Sequence, residues 1–178
     1  PWTVQAKIGL YRLANAAGNT TRADSLLNLA LRDARRIGDL GGERDALIGL
    51  SSTRASSGPE EPALATLDSL RMILPPGDSW ERGEYLCRLG LFRGVGGDSG
   101  VTKLIREGVA VADRLGERAL AGHCLEALAL VHSLHGVPDS VFPIMARAET
   151  LLRATRMHAS LARLYSRRSD ELQARGRF

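Results

Sequence analysis

A serine between glycines and an acid, a cysteine with two histidines downstream, and an asparagine two residues ahead of a threonine are where this sequence could do chemistry. The run Gly97-Asp98-Ser99-Gly100 offers a hydroxyl nucleophile, but acyl transfer also needs a base bonded to that hydroxyl and a group that orients the base. Asp98 and Ser99 fit a simpler role, capping the helix that follows the glycines. Gly94, Gly96, Gly97 and Gly100 lack the preceding strand and the following Gly-Lys-Ser/Thr of a phosphate-binding loop. Cys124 and His132, eight residues apart, share a helix face, with His135 a turn further on. A zinc site would need a fourth ligand; no metal or other cofactor is expected, and His132 reads as a hydrogen-bonded core residue. Cys87 and Cys124 have no C-x-x-C spacing and are expected as small buried thiols in a reducing, cytoplasmic setting. Asn19-Thr20-Thr21 meets the glycosylation pattern but reads as a helix cap. No catalytic set assembles from these residues, so enzymatic activity is not expected.

The elements that must carry these residues are read from a repeat. Gly18, Gly58, Gly97 and Gly136 are separated by 40, 39 and 39 residues, and a leucine stands eight residues before each: Leu10, Leu50, Leu89 and Leu128. Glycine stops a helix because it accepts the left-handed conformation at no steric cost. Polar or proline residues follow to restart the chain: Asn19, Pro59 with Glu60, Asp98, and Pro138 with Asp139. Asp78 and Glu81 have the spacing of a capping box. Apolar residues at three- and four-residue steps mark the second helix of each pair, as in Ala23, Leu26, Leu27, Ala30, Leu31, Ala34 and Ile37. Later faces are Ala63 to Leu74, Val101 to Leu115 and Val141 to Leu152. The third pair, crowded with glycines that include Gly108, is expected to be the least regular and the least stable. No period-two run of β-branched residues argues for a strand. The expectation is an all-α domain over 1–178, with repeats at 1–40, 41–78, 79–116 and 117–156 and a capping helix at 157–175, cut from a longer protein.

Composition agrees with that class. With 178 residues, 44% of them apolar and 25% charged, the chain has the makings of a packed core rather than a disordered segment. Two cysteines do not make a disulfide scaffold, and no apolar run reaches the roughly 18 residues of a membrane span. The net charge of +4 is uneven: Val141 to Phe178 carries eight arginines against three acids. A basic end can bind phosphates; the plainer reading is a solvated helix face whose acidic complement lies elsewhere in the parent protein. Arg163, Arg167 and Arg168 are the candidate anion contacts.

The paired helices resemble the tetratricopeptide repeat family over nearly the whole chain. The likeness rests on Leu10-Tyr11, Leu50, Leu89-Gly90 and Leu128-Ala129 in the first helices, on the hairpin glycines, and on Ala23, Leu27 and Ala30, Ala63 and Leu67, and Ala148 in the second helices. The 39- to 40-residue period exceeds the 34 of the common repeat and is similar to the longer repeats of bacterial signalling regulators and kinesin light chains; helix-pair repeats of the HEAT class share that length. The extra residues are expected to lengthen the second helices. The resemblance implies a right-handed α-solenoid whose first helices line a concave groove. The groove candidates are Arg12, Asn15, Asp45, Ser52, Glu84, Leu91, His123 and Glu126, with Asp45, Glu84 and Glu126 as an acidic stripe suited to a basic peptide. The function implied is a protein-interaction or regulatory scaffold holding a peptide segment or another domain of its own parent chain. A sensor of a small ligand or peptide signal is the alternative, and nucleic-acid contact through the arginine-rich end a further one.

Overall fold

The computed structural model describes residues 3–56 and 60–176. Among these residues all regular structure is helical. In chain order the helices are α1 Val4–Ala16, α2 Thr20–Ile37, α3 Leu40–Ser56, α4 Glu61–Arg71, α5 Trp80–Val95, α6 Thr102–Leu115, α7 Arg118–Leu134, α8 Pro138–Ala154 and α9 His158–Ala174, with a 3-10 turn at Ser99–Val101 before α6. No helix among the described residues is long and apolar enough to cross a membrane.

One turn chemistry ends most of them. Gly18, Gly38, Gly97, Gly116 and Gly136 have φ of 73°, 71°, 96°, 71° and 65°. After each, the next N–H donates back five residues, as Asn19 N to Ala14 O (2.9 Å) and Glu117 N to Ala112 O (2.9 Å) do. Arg156, at φ 57°, makes the same turn without glycine, Met157 N reaching Leu152 O at 3.0 Å. Gly58 and Pro59 lie outside the described residues. Restart caps follow expectation at Asn19, whose side chain accepts from Arg22 N (3.0 Å), and at Asp98, which accepts from Gly100 N (2.9 Å). The cap of α5 is Ser79, accepting from Arg82 N at 3.1 Å, rather than Asp78, which pairs with Arg114.

The chain divides into two compact units, residues 1–75 and 76–178. In the first, α2 packs on α1 and α3, α3 packs on α4, and α1 touches α3. Ile8, Ala30, Ala34 and Ala46 lie in its core, with Leu27, Leu50 and Leu67 also fully buried. Leu10, expected at the seam, is only half-buried; the turn of α1 sends Ile8 inward instead. In the second unit α5, α7 and α9 form one layer, and α6 and α8 pack across α5–α7 and α7–α9 with their own backbones held apart. Val101 of the 3-10 turn, with Ile105, Ala112, Val141, Ala148 and Leu152 of α6 and α8, supplies the buried side of these helices. Ile37 and Leu115, which end their apolar stripes, are 62% and 41% exposed, because each sits at the helix end where the chain turns away.

The glycines of the third pair are contact points. A Cβ on Gly90 would strike Ile105, one on Gly94 would meet Val131 at 2.6 Å, and one on Gly108 would strike Cys87 Sγ and meet Gly83 O at 3.0 Å. Helices α5 and α6 therefore approach backbone to backbone. Helix lengths also differ from expectation: α2 (18 residues) exceeds α1 (13), but α4 (11) is shorter than α3 (17), and α7 and α8 are equal at 17.

Candidate functional site

The layer of α5, α7 and α9 gathers the second unit's candidates. Glu84 and Arg88 stand one turn apart on α5, and the Arg88 Nε donates to Glu84 Oε1 at 2.7 Å. On α7, His123 lies between two carboxylates, its Nε2 3.7 Å from Glu84 Oε1 and its Nδ1 3.8 Å from Glu126 Oε2. From α9, Arg163 grips Glu126 with both arms of its guanidinium, Nε to Oε1 at 2.9 Å and Nη2 to Oε2 at 3.2 Å. Arg167 Nη1 donates to the Glu126 carbonyl at 3.3 Å.

This differs from an open acidic stripe. Glu84 is 4% exposed and Glu126 2%, so both lie beneath the arginines that neutralise them. A buried carboxylate must be paired or protonated, and the pairing leaves the cations further out than the acids: the Arg163 side chain is 50% exposed and that of Arg167 26%. Burial pushes the Glu84 carboxyl up, but Arg88 and His123 outweigh it and hold it below the ordinary glutamate value. Burial, reinforced by the Arg163 charge and opposed by Glu126, lowers Arg167 from the usual arginine value.

The remaining candidates do not join this cluster. Leu91 is half-buried and packs against the core of the second unit. In the first unit Arg12 and Asn15 are exposed, Asp45 and Ser52 are half-buried, and the Ser52 hydroxyl donates back to Ile48 O at 3.4 Å. The acidic complement of the C-terminal arginines lies within the chain: Glu126 takes Arg163 and Arg167, Glu149 takes Arg153 and Arg168, and Glu171 takes Arg175.

The cysteines are a correction. Cys87 on α5 and Cys124 on α7 are joined in a disulfide, their Cα atoms 5.3 Å apart, where free thiols were expected. Both are fully buried, so the expected burial holds while the thiols do not. Their separation of 37 residues puts them on neighbouring first helices, a proximity that spacing along one helix cannot reveal. The bond also takes Cys124 from the Cys124, His132 and His135 trio. His132 Nδ1 bonds the Ser140 hydroxyl and His135 Nε2 bonds Gly94 O at 2.9 Å. Among the described residues no group of three or more His, Cys, Asp and Glu is placed to hold a metal ion.

Sequence reasoning missed the arginines as partners of Glu84 and Glu126. The Glu84–Arg88 pair had a signal, an acid four residues before a base on one helix. Arg163 and Glu126 are 37 residues apart, about one repeat, and only the stacking of α9 on α7 joins them. The chain matches no family model and no curated protein.

Proposed function

We propose that this chain is a non-catalytic protein-interaction module, a tetratricopeptide-like solenoid whose α5–α7–α9 face receives an acidic segment of a protein partner or of its own parent chain. The carrying observation is the arrangement of Arg88, Arg163 and Arg167 over the buried Glu84 and Glu126. With the acids satisfied from within, the charge left to a partner is positive, which favours an anionic segment over the basic peptide an open stripe would have suited. Half-buried His123 lies between these charges and supplies contact area.

The test is fluorescence anisotropy with a labelled glutamate-rich peptide, a lysine-rich peptide and a single-stranded oligonucleotide. The proposal expects the acidic peptide to bind, and Arg163→Gln, whose amide can still donate to Glu126 beside Arg167, to weaken it at least tenfold while helicity is kept. Equal capture of the lysine-rich peptide, or indifference to Arg163→Gln, overturns it. Binding of the oligonucleotide alone would assign the face to nucleic acid. Charge reversal of Glu84 or Glu126 is a poor test, because it would break buried pairs and unfold the face it probes.

A further inference from the structure

Outside the α5–α7–α9 face, a mainly apolar hollow lies on the other layer of the second unit. Helices α6 and α8 both rest on α7 with their backbones held apart, which leaves a groove of about 700 Å³ floored by Leu125 and Leu128 of α7 and walled by Val109 of α6 and Ile144 of α8. One end is strapped: Arg147 of α8 reaches Asp113 of α6, Nη2 to Oδ2 at 2.8 Å. From Asp113 back to Arg106 the wall runs seven residues, about 10 Å at 1.5 Å per residue. At the far end stand Arg106, His132 and Ser140.

The charges at the rim are unequal. Arg147 and Asp113 satisfy each other, whereas Arg106 has no ion-pair or hydrogen-bond partner among the described residues and is exposed. Ser140 Oγ donates to Val137 O at 3.0 Å, so the His132 contact is an Nδ1–H donated to that hydroxyl. Burial, the Arg106 charge and His135 all lower the affinity of His132 for a second proton. The ring is therefore neutral near pH 7, and the one unbalanced charge at the groove is the Arg106 guanidinium.

We infer that this groove is a binding site for a small amphipathic monocarboxylic acid, its apolar body lying on Leu125, Leu128 and Ile144 and its carboxylate taken by Arg106. The groove is about 10 Å long and strapped at one end by the Arg147–Asp113 pair, a length that an unbranched acyl chain of about eight carbons can occupy with its carboxylate at Arg106. The volume is that of a small-molecule pocket, and a guanidinium gives a carboxylate two parallel hydrogen bonds. The site is separate from the partner face and does not depend on it.

The experiment is isothermal titration of the full chain with sodium octanoate below its micellar concentration, with octylammonium and 1-octanol as head-group controls. Octanoate is expected to bind saturably at one site, with both controls at least tenfold weaker. Arg106→Ala, at an exposed position, is expected to weaken octanoate about tenfold, and Ile144→Trp to abolish binding by filling the groove. Capture of the acidic peptide by the α5–α7–α9 face should be unchanged in Arg106→Ala, so the two sites succeed or fail separately. Absence of saturable octanoate binding, equal binding of all three probes, or indifference to Arg106→Ala overturns the assignment. So does an apolar acidic peptide that binds at Arg106 where octanoate does not.

Discussion

Glu84 couples its charge to stability in a way that can be measured. Its folded pKa lies below its unfolded value because Arg88 and His123 overcome burial. The contribution is therefore present above the unfolded value, about 4.3 for glutamate, and is lost as pH falls through the folded one. Arg88→Leu removes the adjacent charge and leaves a carboxylate that is 4% exposed, at a cost on the order of 3 kcal/mol near pH 7. In that variant the sign reverses: the folded pKa rises, and stability recovers as acid protonates Glu84. Urea unfolding at pH 7 and pH 5 checks both the loss and the partial recovery. Reduction of the Cys87–Cys124 bond frees a 37-residue loop in the unfolded chain, for an expected loss of about 3–4 kcal/mol. Unfolding midpoints with and without dithiothreitol measure it, and Cys87→Ser with Cys124→Ser should abolish the difference.

Helix stops and helix crossings each make a prediction of their own. Arg156 occupies at φ 57° the turn position that glycine holds at Gly38 and Gly116. A β-carbon in that conformation costs about 1 kcal/mol, so Arg156→Gly is expected to raise the melting temperature by a few degrees despite glycine's greater unfolded-state freedom. An unchanged or lower melting temperature would count against strain at that turn. Gly108→Ala should do the opposite, since its methyl would strike Cys87 Sγ and crowd Gly83 O at 3.0 Å. Overpacking of this kind costs about 1–3 kcal/mol, and loss of stability by thermal melting, with helicity kept at 20 °C, is the expected result. The glycines read in the sequence as a sign of irregularity are thus the residues that let α5 and α6 meet. Period and turn chemistry were legible along the chain because both are local; the close approach was not, because it depends on what faces each glycine.

Two compact units, each with its own buried leucines, make up the whole chain. Residues 76–178, expressed alone, are expected to keep their helical circular dichroism and a cooperative urea transition; a fragment that is unfolded would show that the second unit cannot stand by itself. The sequence alone determined that the chain is helical, where most helices stop, and which faces of α2, α6 and α8 turn inward. Those properties follow from left-handed glycines and from 3.6-residue spacing, both set within a few residues. Tertiary structure decided which charges survive to the surface and which cysteines meet. Arg163 to Glu126, Arg147 to Asp113, and Cys87 to Cys124 span 37, 34 and 37 residues, close to one repeat. Such partners are neighbours only once successive hairpins stack, and one helix's geometry carries no record of the next helix's register.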